Sequence, residues 1–258
     1  MASTHHRSTQ AATLIAVSNN TMTKPTNEPH PVSSDAHSGT DLSLELADAL
    51  TGKFLVFDGP DGSGKSTQLS LFLDATKRAG ISVTEVREPG GTEIGEKIRD
   101  ALLEHLDRDE MSLRCEMLLY MASRAQLCEQ IIDPALKAGD LVVADRFVAS
   151  TYAYQGAAGG IPFEEISEVA RIAMFGMAPD ATLIFDVDQV TAASRLNPLL
   201  DRMEAKGAAF HAKVRQGYRS LLESDPDAKR YLRVDAKGTP NEVFAGIKSV
   251  LSARFLGR

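Results

Sequence analysis

Cysteine is scarce in this chain: Cys115 and Cys128 are the only two among 258 residues. Two cysteines cannot supply a disulfide framework, so none is expected, and a reducing, cytoplasmic compartment fits that usage. Basic residues are also in short supply. Lys and Arg number 28 against 35 Asp and Glu, a net charge of −7. That balance argues against a broad nucleic-acid-binding surface, although a local arginine cluster can still hold a small anion. No apolar run approaches the roughly 18 residues of a membrane span, so no membrane partner is expected. No internal repeat is evident. The cysteines and histidines fall at no metal-ligand spacing, so no zinc site is expected. The hydrophobic share, 43%, with 24% charged residues, is that of an ordinary globular chain able to bury a full core.

Apolar periodicity is nearly missing from residues 1–51. This stretch is rich in Ser, Thr, Ala, Asn and His, with Pro25, Pro29 and Pro31. Such a segment buries too little to offset the entropy of ordering, and a disordered tail is expected. The run Ala11 to Val17 is too weak for a secretory signal, and the lone Arg7 is too little base for an organelle transit peptide. Met22 is a candidate later start. Within the stretch, Asp41 to Leu50 has the pattern of a short helix.

Residues 52–258 are expected to form one domain. Phe54 to Phe57 is a continuous apolar strand of the kind buried on both faces. Leu69, Phe72, Leu73 and Thr76 mark one face of a helix that stops at Gly80. Ile81 to Val86 reads as a strand, and Ile94, Ile98, Ala101, Leu102 and His105 as a helical stripe. One long helix is expected from Ser112 to Lys137. Leu141 to Ala144, Leu183 to Phe185 and Tyr231 to Val234 read as strands, and Pro240 to Phe255 as the last helix. This alternation is the βαβ rhythm of a parallel sheet covered on both faces.

Between the first strand and the first helix stands Gly59-Pro60-Asp61-Gly62-Ser63-Gly64-Lys65-Ser66, a complete G-x-x-x-x-G-K-[ST] loop followed by Thr67. The strand–loop–helix context is the one this motif requires. Its glycines let backbone N–H groups turn inward on phosphate oxygens, and the helix adds its unpaired N–H groups and positive dipole end. Lys65 can reach the β- and γ-phosphates of ATP, and the Ser66 hydroxyl can hold Mg²⁺.

Four further clusters follow: Arg87-Glu88-Pro89-Gly90-Gly91-Thr92, Tyr120 to Gln126, Asp145-Arg146-Phe147 with Ser150 to Gly156, and Arg195 with Asp201 to Glu204. Tyr120 and Arg124 are spaced i and i+4, on one helix face. A ring to stack and a guanidinium to meet a carbonyl oxygen suit a pyrimidine base. Ser150 and Thr151 can give hydroxyls to the base edge. Asp61 is informative because a carboxylate beside phosphates needs a partner of its own. Arg146 stands just past a strand's carboxyl end, where open α/β sheets bind ligands.

Taken together, the F-D-G-x-D-G-x-G-K-S-T, R-E-P-G-G-T, D-R-F and S-T-x-A-Y-Q-G blocks, in this order and spacing, resemble the bacterial thymidylate kinase family, and the resemblance runs from Lys53 to the C-terminus. It implies a P-loop NTPase-type three-layer α/β/α fold with a five-stranded, mostly parallel sheet and a small mobile lid at about 190–207. It implies transfer of the ATP γ-phosphoryl group to dTMP, with Mg²⁺, and a homodimer built on the long helices. It assigns Arg146 to the dTMP phosphate and Arg87 to a second phosphate contact. Asp61 takes the deoxyribose 3′-hydroxyl and orients Arg146. Tyr120, Arg124, Ser150, Thr151, Tyr154 and Gln155 form the base and sugar pocket, with Tyr154 closing the 2′ position against a ribose. The family usually carries phenylalanine where Tyr120 stands.

The lid departs most from the family pattern. Its segment Arg195-Leu196-Asn197-Pro198-Leu199-Leu200-Asp201-Arg202 holds two arginines where several bases are usual, and the phosphate loop lacks an arginine of its own. Arg195 is the first choice for the arginine finger and Arg202 the second, with a pairing of Arg202 to Asp201 or Glu204 as the structural alternative. Asp186 reads as a structural acid, and Asp235 to Pro240 as a border of the adenine site. Leu113, Met117, Leu118, Ile131 and Ile132 form a stripe that fits either a dimer contact or the core. Two other functions remain open on sequence alone: a kinase of another (deoxy)nucleoside monophosphate, or a catalytically weak nucleotide-binding regulator motivated by the depleted lid.

Overall fold

The computed structural model describes residues 40–104, 111–195, 203, 206–225 and 229–258. Its centre is a five-stranded, all-parallel sheet made of β1 (Phe54–Asp58), β2 (Val83–Arg87), β3 (Leu141–Asp145), β4 (Ala181–Asp186) and β5 (Tyr231–Asp235), in the order β2-β3-β1-β4-β5. The chain thus leaves β1 for the edge at β2, returns to β3, and crosses to β4. That reversal beside β1 opens the crevice in which doubly wound sheets bind ligands.

The apolar run in β1 divides by strand alternation. Leu55 and Phe57 join one core with Leu183, Phe185, Phe72 of α2 (Lys65–Arg78), and Phe244, Ile247 and Leu251 of α10 (Pro240–Leu256). Phe54 and Val56 join the opposite core with Val142, Ala144, Met117 and Met121 of α4 (Leu113–Leu127), and Ile166 and Ala170 of α7 (Phe163–Ala173). The run is continuous because both faces are covered. α3 (Glu93–Leu103) packs on α4, and α9 (Ala208–Glu223) packs over α6 (Val148–Thr151) and the π-helical turn Tyr152–Ala158 that follow β3.

Two elements differ from the sequence expectation, and a third, expected as a helix, falls inside the stretch assigned to a disordered tail. The short helix forms as α1 (Leu44–Leu50), capped by Ser43, and Leu46 and Leu50 are fully buried against α10 and the sheet. The folded part therefore begins before residue 52. The long helix is not uniform. α4 ends at Leu127, a π-helical turn spans Cys128–Ile132, and α5 (Asp133–Ala138) completes it. Pro134 has no N–H to donate back to Gln130, which loosens the regular ladder at this point. The second strand starts at Val83, not Ile81, because Gly80 at φ +73 closes α2 and the chain needs two residues to re-enter the sheet. Of the stripe read as dimer or core, Met117 and Ile132 are core residues, whereas Leu118 is exposed.

Candidate active site

The phosphate loop forms where β1 delivers the chain at the sheet's carboxyl edge. Gly62 at φ +75 passes under α8 (Gln189–Arg195), and a Cβ there would lie 2.3 Å from the Ala192 carbonyl oxygen. Gly64, also left-handed at φ 81, starts α2 with Lys65 as its first residue. Pro60 to Gln68 line one wall of an open cleft whose other wall is Arg195, Ala236, Gly238, Pro240 and Val243. The 235–240 loop read as an adenine border is thus placed opposite the phosphate loop. Ser66 and Thr67 are exposed in the first turn of α2.

Lys65 is buried, and its Nζ pairs with Asp145 at the end of β3. Burial and the nearby Arg146 both lower its affinity for a proton, while Asp145 opposes them. A phosphate group arriving in the loop supplies the anion that this lysine is short of.

Arg146 follows Asp145 and holds an unusual left-handed backbone, φ 69, fixed by its N–H donating to the Phe57 carbonyl at 2.9 Å. A non-glycine residue in this region is strained, and such strain collects at functional sites. The side chain is over-determined. Nη1 donates to the Gly59 carbonyl at 3.0 Å and to Ser150 Oγ at 3.2 Å, and Nη2 pairs with Asp61. Tyr154 donates its hydroxyl to the other Asp61 oxygen at 2.7 Å. Burial disfavours the Asp61 charge, but Arg146, the Tyr154 hydroxyl, His211 and Lys65 outweigh it and hold the carboxyl below its usual range.

Beneath this pair lies a residue the sequence reading passed over. Asp58, the last residue of β1, is fully buried and accepts from the Gly59, Phe147 and Ser150 N–H groups at 2.9, 3.2 and 3.0 Å. It also accepts from Ser150 Oγ and the Tyr218 hydroxyl, each at 2.7 Å. The Ser150 hydroxyl is therefore engaged with Asp58, Tyr218 and Arg146. Tyr218, from α9, completes the support; its position far along the chain gave no local signal.

A second cleft adjoins the first. It is lined by Asp61, Glu88, Pro89, Arg99, Leu103, Tyr120, Arg124, Arg146, Phe147, Ser150, Thr151, Tyr154, Gln155 and Met203. Tyr120 and Arg124 are both there, as their helical spacing requires. Arg124 is 1% exposed and makes a two-pronged ion pair with Glu88, Nε at 2.9 Å and Nη2 at 2.6 Å, while Nη2 also donates to Thr151 Oγ1 at 3.2 Å. Its guanidinium lies 5.1 Å from the centre of the Phe147 ring. Glu88 is pushed up to about 7 by burial, against the pull of Arg124. Sequence reasoning quoted Glu88 within its block and gave it no role.

Arg87 is placed elsewhere. Its side chain is half exposed, pairs with Glu96 at 2.7 Å, and does not line the cleft. β2 alternates, so Arg87 and Glu88 leave it on opposite sides, and the residue facing the pocket is Glu88. A base that does reach the cleft, beside Arg124 and Arg146, is Arg99, nearly two turns into α3, whose Nη1 donates to the Pro89 carbonyl at 2.9 Å. Arg195 sits beside the phosphate loop with Nη1 donating to the Ala236 carbonyl at 2.9 Å, and lies 3.4 Å from where a Cβ on Gly64 would stand. Arg202, Asn197 to Leu199 and Glu204 lie outside the described residues. Asp186 pairs with Arg219 at 3.2 Å and Arg233 at 3.6 Å, a structural use.

A phosphate loop at the head of α2, a strained arginine held by the buried Asp58 and the partly buried Asp61, and a neighbouring aromatic-and-arginine cleft define a P-loop phosphotransferase. The match to a family model narrows this class: residues 57–247 fit that of thymidylate kinase. The chain is 43% identical over 189 residues to "Thymidylate kinase" of an Exiguobacterium strain, covering 72% of this chain and 88% of that protein. It is 42% identical over 206 residues to "Thymidylate kinase" of Caldanaerobacter subterraneus, covering 79% and 95%. With "Thymidylate kinase" of Protochlamydia amoebophila it shares 40% over 201 residues, 74% and 88% of the two chains. The chain belongs to the thymidylate kinase family.

Proposed function

We propose that the protein phosphorylates dTMP to dTDP at the expense of ATP. The observation that carries this reading is the pair of adjoining clefts that share Asp61 and Arg146. A phosphoryl group passing from one cleft to the other must cross that arginine. Both nucleotides are anions, so the protein must neutralise charge and align an in-line transfer. The loop N–H groups and Lys65 hold the donor phosphates. Arg146 bridges donor and acceptor, with Asp61 and Asp58 fixing its angle. Arg99 takes the acceptor-phosphate role first given to Arg87. Arg195 is the described cation placed to act as finger over the donor.

In the acceptor cleft, Tyr120 stacks on the base and Arg124, steered by Glu88, donates to a base carbonyl. Thr151 and Gln155 complete the base edge. Tyr154 and Asp61 flank the sugar, Tyr154 closing the 2′ side. The exposed Ser66 hydroxyl and the Asp145 carboxylate are hard oxygen donors beside the phosphate loop, a set that fits Mg²⁺, which takes few protein ligands and keeps water and phosphate oxygens. Bound there, Mg²⁺ would neutralise charge on the donor phosphates.

Exposed Leu118, Phe163, Ile172 and Phe175 on or next to α4 and α7 support a homodimer through these helices. The unbridged Cys115 and Cys128 support a cytoplasmic location. Chromatography of a reaction with MgATP and dTMP tests the proposal. dTDP and ADP should appear in equal amounts, and Arg146→Ala should lower the rate by about 10² or more, as loss of a transition-state charge clamp does. Undiminished turnover in that variant would remove Arg146 from the mechanism.

A further inference from the structure

Outside the machinery described above, one buried acid touches the acceptor cleft from behind. Glu116 on α4 is 1% exposed. Its Oε1 accepts from Gln155 Nε2 at 2.8 Å, and both of its oxygens accept from Lys206 Nζ, at 3.2 and 3.1 Å. Lys206 stands immediately before α9, at the exit of the segment read as the lid, and its ammonium lies 4.8 Å from the centre of the Phe210 ring. A buried carboxylate needs a cation, and Lys206 supplies it.

The consequence falls on Gln155. A glutamine amide presents a donor at one end and an acceptor at the other, and its neighbours decide which way it faces. An ionised carboxylate only accepts, so Glu116 takes the NH₂ end. The carbonyl Oε1 of Gln155 is then the end left for the cleft that Gln155 lines, and it has no protein partner among the described residues. An acceptor at that point matches the N3–H donor of thymine or uracil. Cytosine carries an acceptor at N3, and the two lone pairs would oppose each other.

We infer that Glu116, ion-paired with Lys206, is a specificity-determining positioning residue: it locks the Gln155 amide so that the acceptor cleft reads the N3–H of a thymine-type base and rejects cytosine. This inference rests on the proposed acceptor being a pyrimidine nucleotide.

Glu116→Gln tests it. With Lys206 still donating, the new amide turns its oxygen to the lysine and its NH₂ to Gln155. Gln155 then receives a hydrogen bond on its carbonyl and offers NH₂ to the base. The ratio of kcat/KM for dTMP over dCMP should fall by at least about tenfold, with a rise in dCMP turnover itself, since polar readout of this type governs discrimination between analogues. Recovery of dCMP stays partial because Arg124 still donates toward the 4-position. A folded variant with an unchanged ratio overturns the inference and leaves Glu116 a purely structural acid. If Glu116→Gln does not fold, Glu116→Met carries the test: with no acceptor behind it, the Gln155 amide can turn either end to the base, and the same ratio should fall. An unchanged ratio there overturns the inference equally. Wild-type protein run alongside separates the two levels. No turnover of dTMP by wild type defeats the proposed function, whereas wild-type turnover of dTMP and dCMP at equal efficiency defeats only the base-reading device.

Discussion

Asp61 sits inside a loop built to attract phosphate, and its charge survives there because Arg146 and Tyr154 flank it. Asp61→Ala should leave ATP binding by calorimetry nearly intact and lower kcat at least about tenfold, since the loss is one of alignment. Equal kcat would show that Arg146 needs no such partner. Glu88 gives a pH signature. Its carboxyl titrates at about 7 in the folded protein against an ordinary 4.5. Between those values the folded protein keeps a proton that the unfolded chain has released, so the stability from this group is complete below 4.5 and is lost as pH rises through about 7. The Tm of wild type minus that of Glu88→Gln should therefore fall as pH rises across this window; a flat or rising difference would contradict the assignment. Asp61, Lys65 and Arg146 were legible in the sequence because a phosphate site demands those residue types at those spacings. Asp58, Glu88, Glu116 and Tyr218 were not. Each acts through a partner on a distant element, and a buried acid in a strand or helix looks like any other acid until its partner is placed.

At the level of elements, the strands were readable because a sheet covered on both faces leaves unbroken apolar runs. The π-helical turns at Cys128–Ile132 and Tyr152–Ala158 were not, since they keep helical composition while shifting which residues share a face. The misplacement of Arg87 is a similar failure by a single residue: neighbours on a strand point to opposite faces, so the motif carried the right block and the wrong side chain. α1 was recognised as a possible helix, but its burial was hidden because its partner α10 lies at the far end of the chain. Leu46→Ala should destabilise the protein by about 2–5 kcal/mol in urea unfolding, the range for a buried leucine. A loss below about 1 kcal/mol would show that α1 is an appendage and not part of the core.

For the whole molecule, fold and family were legible from four ordered motifs, and what remained hidden was the pairing of two adjoining clefts. The exposed apolar residues on α4 and α7 support the proposed homodimer contact, and none of them lines either cleft. Ile172→Glu should convert a dimer to monomers in sedimentation while leaving each cleft intact; a wild-type monomer would refute that contact outright. The central claim is the identity of the phosphoryl acceptor, and steady-state kcat/KM with MgATP tests it most directly, measured for dTMP beside dUMP, UMP, CMP and AMP in an ADP-release assay. The proposed pocket predicts efficient turnover of dTMP and strong rejection of UMP, whose 2′-hydroxyl would meet Tyr154. ATP binding without turnover of any acceptor, or UMP used as well as dTMP, would contradict it.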